Sequence, residues 1–376
     1  MNARRLKRFK AFKCFKSLKN SAQKGSAAVY LIAIALLGFL LAGLTTDIPY
    51  YFAVRNQMLT ASQAGALAGA GTLFKSTAET TEAKQTEARN AVIDYASENF
   101  PLVANNGDII FGFVDPSNPT SFSTTPSGTR FQQTGGYNAV KVNVVANESN
   151  GNSNSNNTIN TFFGQMLGVN SVGATVSSVA MIDNRVTSIT GGLRPIYGCQ
   201  AHWQASAADG DLTDDVVRIY GDHFELNGST ISCPTPTSGN WGFADLRDCA
   251  PGVPGGSTTE QWLESGYSGT VTLGQCYSTQ TGNFIPSVSD TLDTLIADET
   301  VFAIPLINTF TGSGSNSTVI VSGFTGFQIT GYRANGNASG RYIEGRFTAT
   351  PCTVNTCSTS DSVTTGFGVG RLKLVG

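Results

Sequence analysis

The spacing of apolar positions changes several times along this chain, and each change predicts a different element. Between Ala27 and Leu44 nearly every position is apolar, and no charge occurs from residue 25 to residue 46. A helix rises about 1.5 Å per residue, so about 20 such residues cross a hydrocarbon core. The pattern therefore predicts a membrane-spanning helix over 25–46. Helical character continues from Asp47 to Phe74, where Phe52, Leu59, Ala66 and Leu73 recur every seventh residue. Pro49 predicts a kink just past the bilayer. The stretch Ala61–Gly71 is almost entirely small side chains, and Ala61, Gly65, Ala68 and Gly69 form a candidate packing face. Gly65 lies about 20 residues, or about 30 Å of helix, beyond the bilayer, so lipid does not drive that contact. The expectation is packing onto the domain's own sheet, with packing against another subunit as the alternative.

A polar helix follows over about 79–99, with Ala88, Val92, Tyr95 and Ala96 on its apolar side and Pro101 ending it. Alternation predicts strands at 108–114, 137–146 and 171–182, a short helix at 159–167 and a flexible Asn/Ser-rich loop at 147–157. After Gly191, Gly192 and Pro195 the pattern becomes short alternating segments at 216–220, 269–273, 300–306, 318–332, 342–349 and 369–375. Only 289–296 has a helical period there. The implied fold class is α+β. A basic tail (1–24) and the spanning helix (25–46) precede a helical extension with a small α+β unit (47–183). A linker (184–195) then leads to a β-rich, disulfide-containing C-terminal domain (196–376).

Charge sharpens this picture. Residues 1–24 hold nine of the 24 Lys and Arg and no acid, which leaves 15 basic against 26 acidic residues, a net of −11, on the remaining chain. An acidic body excludes nucleic acid as a partner, since no basic surface is left to neutralise phosphates. The basic tail belongs on the cytoplasmic side by the positive-inside rule, with everything after Asp47 beyond the membrane. A cleaved secretory signal would have an apolar core of about 7–15 residues; this run is longer, so a retained single-pass anchor is expected. Six cysteines, Cys199, Cys233, Cys249, Cys276, Cys352 and Cys357, all lie on that outer side. Their even number in an exported segment predicts disulfides whose pairing the sequence leaves open, although Cys352 and Cys357 could close a small loop.

No catalytic constellation is present. There is no GxSxG elbow, P-loop or HExxH, and His202 and His223 lack zinc-ligand spacing. The expectation is a non-enzyme without a cofactor. Asp209, Asp211, Asp214 and Asp215, with Asp222 nearby, form the one acidic cluster that could collect oxygen ligands for calcium. It lacks EF-hand spacing and is read first as a solvated turn. Phe162 and Phe163 are read as core.

Three stretches resemble the TadE/TadG-like family of the tight-adherence (Flp) pilus system. The first spans 24–73, with Asp47, Val54, Arg55, Leu59 and Ala66–Ala70 at matching places; the others are YNAVKVNV at 137–144 and TFFGQMLGVNSVGATVSSVA at 161–180. The resemblance implies a pilin-like α+β unit and an inner-membrane protein whose body is periplasmic or surface-exposed. Its partners would be the membrane and other pilus-assembly or pilin-like proteins. An adhesin-like body binding a surface carbohydrate or host ligand is the alternative. Pilin-type processing would cut between Gly25 and Ser26, but this chain has Tyr30 where such sites usually carry a glutamate. It also lacks the DxSxS loop of the metal-binding domain found in larger relatives.

Overall fold

The structure, a computed structural model, describes residues 26–100, 108–127, 129–146, 158–234, 240–247, 249, 256–281, 288–313, 317–335, 340–353, 355–363 and 365–375. The basic tail, Gly25 of the possible processing site and the Asn/Ser-rich loop at 147–157 lie outside the described residues.

In chain order the first elements are helices α1 (Ser26–Lys75) and α2 (Thr81–Asn99), then strands β1 (Ile109–Val114), β2 (Phe122–Ser123), β3 (Ala139–Ala146), β4 (Ile159–Asn160) and β5 (Ser171–Val172). Next come β6 (Ala174–Asp183), β7 (Val186–Thr190), β8 (Gly198–Cys199), helix α3 (Gln200–Ser206), β9 (Val217–Tyr220), β10 (Phe224–Leu226), β11 (Ser229–Thr230) and β12 (Asn240–Asp245). Helix α4 (Gly256–Ser265) precedes β13 (Thr270–Thr272) and β14 (Cys276–Thr281), and α5 (Ser289–Ala297) precedes the long pair β15 (Val301–Thr311) and β16 (Thr318–Arg333). The chain ends with β17 (Tyr342–Thr348), β18 (Thr350–Cys352), β19 (Cys357–Thr359) and β20 (Val369–Val375).

These elements form two compact units, one of residues up to 54 with 147–173, the other of 55–146 with 174–376. In the first, α1 is long and apolar enough to cross a membrane, and Val29, Leu31, Ile34, Leu37 and Leu40 all stand exposed. A helix with apolar side chains on every face needs an apolar surround, whether a bilayer or other protein. The helix runs through Pro49 as one element. Antiparallel β4 and β5 pair Ile159 with Val172, and a short 3-10 turn over Gly164–Leu167 occupies the connection. The expected helix at 159–167 is therefore a hairpin arm and a single tight turn, because Gly164 and Gly168 interrupt the run before a second helical turn can form.

In the second unit Met58, Ala61, Ser62, Ala66, Ala70, Leu73 and Phe74 are buried. This row follows a 3.6-residue period. The strict seven-residue row drifts off it, leaving Phe52 exposed and Leu59 half-buried. The helix presses on α2 and β3. Ser62 Oγ donates to the Val142 carbonyl at 2.8 Å, and a Cβ on Gly65 would stand 3.2 Å from Val92 and 3.3 Å from Ala96. The helix α2 starts where the Thr80 side chain accepts the Ala83 N–H at 3.1 Å, and it stops at extended Phe100. Its buried row is Lys84, Ala88, Val92 and Ala96, spaced by four. Tyr95 was expected on that side but is exposed, since it falls about 100° off the row.

The first sheet has the order β18-β20-β6-β3-β1-β2, antiparallel except for parallel β18–β20. Its last-made strand, β20, pairs Leu372 with Ile182 on β6. The C-terminus thus returns to the sheet built by residues 109–183, and the segment read as a linker carries β7, which joins β13 and β19 in a three-stranded sheet. Buried Asp183 fastens this region. Its carboxylate receives Arg185 at 2.9 and 3.0 Å and Lys373 at 3.3 Å, while Arg185 also reaches Ser117 and Asp361. Burial alone would raise the Asp183 pKa, but these two cations hold it below the ordinary carboxylate range.

The remaining strands build a nine-stranded sheet around β15–β16–β17, cored by Phe224, Phe243, Phe324, Phe327 and Phe347. Helix α5 stands where the period over 289–296 put it, with Leu292, Leu295 and Ile296 at i, i+3 and i+4. Helices α3 and α4 correct the expectation that the rest of this region is all-β; their large apolar residues, Trp203 in one and adjacent Trp262 and Leu263 in the other, are too few to mark a period. The six cysteines form three disulfides, Cys199–Cys233, Cys249–Cys276 and Cys352–Cys357, with Cα atoms 6.1, 5.5 and 6.0 Å apart. The last one ties β18 of the first sheet to β19 of the three-stranded sheet.

Candidate functional site

The most specific arrangement lies in the first unit, at the end of the apolar run. Gly43, Asp47 and Tyr50 fall at i, i+4 and i+7 on α1 and so share one helix face. Gly43 leaves room for the loop between β4 and β5; a Cβ there would come within 2.9 Å of Phe163 Cβ. The Asp47 carboxylate accepts three consecutive backbone N–H groups, from Phe162 at 2.9 Å, Phe163 at 3.0 Å and Gly164 at 2.8 Å. Tyr50 meets the Phe162 ring edge-on at 5.6 Å.

Successive N–H groups pointing at one carboxylate form an anion nest. Desolvation raises the Asp47 pKa, but the three donors outweigh it and leave the group below its usual value. The loop is stiffened internally. Thr161 N–H reaches the Asn170 carbonyl at 3.1 Å, Val169 N–H reaches Gly164 at 2.9 Å, and left-handed Gly168 (φ 80°) closes the turn. A groove of about 390 Å³, lined by Ile48, Tyr51, Phe52, Ile159 and Val172, runs beside it.

Phe162 is 65% exposed and Phe163 half-buried, so neither is core as expected. A pair of aromatics predicts burial only if protein covers both, and here the loop lies along a single helix. Sequence reasoning read Asp47 as the end of the apolar run. The readable signal was a glycine four residues before a lone acid at the edge of that run.

Among the helix-packing candidates, Ala61, Gly65 and Gly69 are buried under α2 and β3, while Ala68 is half-buried and off that row. In the acidic loop, the carboxylates serve their own turns. Asp209 Oδ1 accepts Asp211 N–H at 3.0 Å, Asp211 Oδ1 accepts both Thr213 donors at 2.8 Å, and Asp215 takes the Asn227 amide. Desolvation, with repulsion from Asp209, Asp215 and Asp211, raises the Asp214 pKa. Among the described residues no three His, Cys, Asp or Glu side chains converge on a metal position.

Two further clusters surround the histidines. His223 stacks on Tyr220 at 4.0 Å and pairs with Asp222 at 2.6 Å and Glu225 at 3.3 Å; Arg218 bridges to Glu344 at 2.8 Å beside Tyr342. His202 is fully buried against Phe224 and Phe347, with neither ring nitrogen in a well-formed hydrogen bond. Burial drives its pKa down to about 4, against an opposing contribution from the Glu225 backbone. Taken together, these features define an α+β protein with one N-terminal helix fit to span a membrane and a disulfide-stapled body. No protein-family profile, curated protein or solved structure matches the chain.

Proposed function

We propose that this protein is a single-pass membrane-anchored structural or assembly component of a Tad/Flp-type pilus, minor-pilin-like in its N-terminal half. Its leader lies in the cytoplasm and its body in the periplasm or at the surface. One observation carries the reading: α1 is a single helix whose first half exposes apolar side chains and whose second half buries a small-residue face under α2 and an antiparallel sheet. The role is mechanical, without chemistry at a catalytic centre. Tagged full-length protein, cross-linked in cells, is expected to co-isolate pilus platform or secretin components. Isolation of the protein without any of them, from cells that assemble pili, would overturn the reading. A periplasm-active reporter fused after Phe74 tests the orientation, and cytoplasmic activity would reverse it.

A second reading is a surface-binding module mounted on the same anchor. It is favoured by the Tyr220–His223–Tyr342 aromatic group with Glu225, Arg218 and Glu344 around it, a combination suited to sugar rings and hydroxyls. Glycan-array binding by the full chain, lost in Tyr342→Ala, would support it.

A further inference from the structure

We infer that the loop between β4 and β5 is a second membrane contact, an interfacial anchor that enters the outer-facing leaflet beside α1. The inference rests on the reading of α1 as a membrane span and is independent of any pilus. Phe162, Met166, Leu167 and Val169 are 65%, 70%, 68% and 48% exposed, four apolar side chains within eight residues of a stiff turn. Scattered exposed apolar residues are ordinary, but a contiguous group on an ordered loop marks a contact surface.

Three observations select the bilayer as the occupant. First, residues 158–173 contain no Asp, Glu, Lys, Arg or His, so nothing ionic opposes entry into the headgroup region. Second, the loop is held against the last turn of the apolar run itself: Phe163 abuts Gly43, and Gly43 lies before Leu44, inside the stretch that hydrocarbon must cover. About 6 Å of helix separates Gly43 from Asp47, so a loop fixed at both points sits at the depth of the interface. Third, the loop's most polar backbone, the three N–H groups at Phe162–Gly164, is already satisfied by Asp47 and needs no water. Tyr50 on Phe162 and the apolar groove lined by Tyr51 and Phe52 continue the same surface, with aromatics where interfaces favour them.

The test uses the full chain with Cys14→Ser, reconstituted into vesicles of phosphatidylethanolamine and phosphatidylglycerol. Spin labels are placed singly at Met166→Cys, at Ala35→Cys inside the apolar run and at exposed Ser313→Cys. Collision with oxygen and with a water-soluble nickel chelate reports depth. The Met166 label is expected to be oxygen-accessible and nickel-shielded, about 5–10 Å below the headgroup boundary. Nickel access equal to that at Ser313, with Ala35 still shielded, overturns the inference and leaves the span standing. Shielding from both reagents also overturns it, since that outcome means cover by protein. Nickel access at Ala35 removes the span and the loop contact together. In Asp47→Ala the Met166 label should regain nickel access while the Ala35 label stays shielded; unchanged shielding at Met166 overturns the tether. Intact disulfides on a non-reducing gel confirm that each variant has folded.

Discussion

Two glycines on one helix should respond to the same substitution with opposite sign. At Gly71 a Cβ would meet only Leu372 Cδ2, at 3.7 Å, an ordinary contact. Gly71→Ala therefore gains the helix preference of alanine over glycine, about 1 kcal/mol. At Gly69 the same atom would lie 2.5 Å from Val92 Cγ2 and 3.3 Å from Val140 Cγ1. Overpacking of this kind costs about 1–3 kcal/mol, so after the propensity gain Gly69→Ala should be net destabilising by up to about 2 kcal/mol. The two variants should then differ by about 1–3 kcal/mol, several degrees in Tm at most for a body this size. Val92→Ala removes the obstructing methyl and leaves a space that the new Cβ at residue 69 can fill. The double variant Gly69→Ala/Val92→Ala should thus be more stable than the sum of its parts by about 1 kcal/mol or more. Urea unfolding of the detergent-solubilised full chain, followed by near-ultraviolet circular dichroism, measures the parent protein and all four variants. If Gly69→Ala proves as stabilising as Gly71→Ala, the close seat of α1 on α2 and β3 is wrong.

Three other outcomes follow from the same structure. Replacing Cys199 and Cys233 by alanine reopens a loop of 34 residues and should cost about 4 kcal/mol by chain entropy, read as a loss of Tm that reducing agent no longer increases at this bridge. Asp183 has a depressed pKa, so its contribution is present above the unfolded aspartate value and is lost as pH falls toward the folded one. Unfolding followed as pH falls below about 4, the unfolded aspartate value, should show that loss, and Asp183→Asn should be less stable at neutral pH with a flatter acid profile. His202 is held neutral down to about pH 4, whereas the unfolded chain takes up its proton near 6.5. Stability should therefore fall by about 3 kcal/mol as pH drops through that window, and His202→Phe should remove this part of the slope; an unchanged slope would mean the ring is solvated.

Much of the architecture was legible locally. The apolar run, the polar helix that became α2, and strands β1, β3, β9, β15, β16, β17 and β20 all stand within a few residues of where alternation put them. A half-buried strand must alternate and a membrane helix must not, so each pattern records its own solvent. The helices α3 and α4 did not show, because one large apolar residue, or two adjacent ones, cannot establish a period.

What tertiary structure alone decided is which distant segments meet. Nothing near Asp47 in sequence announces that its carboxylate will hold backbone 115 to 117 residues away, and nothing in Phe162-Phe163 says that one ring will face outward. The same holds for β20 returning to β6, for Lys373 reaching Asp183, and for the choice among possible cysteine pairings. Local pattern reports whether a residue needs an apolar or a polar neighbour. Which neighbour it gets depends on loop closure and packing over the whole chain, and no short window contains those.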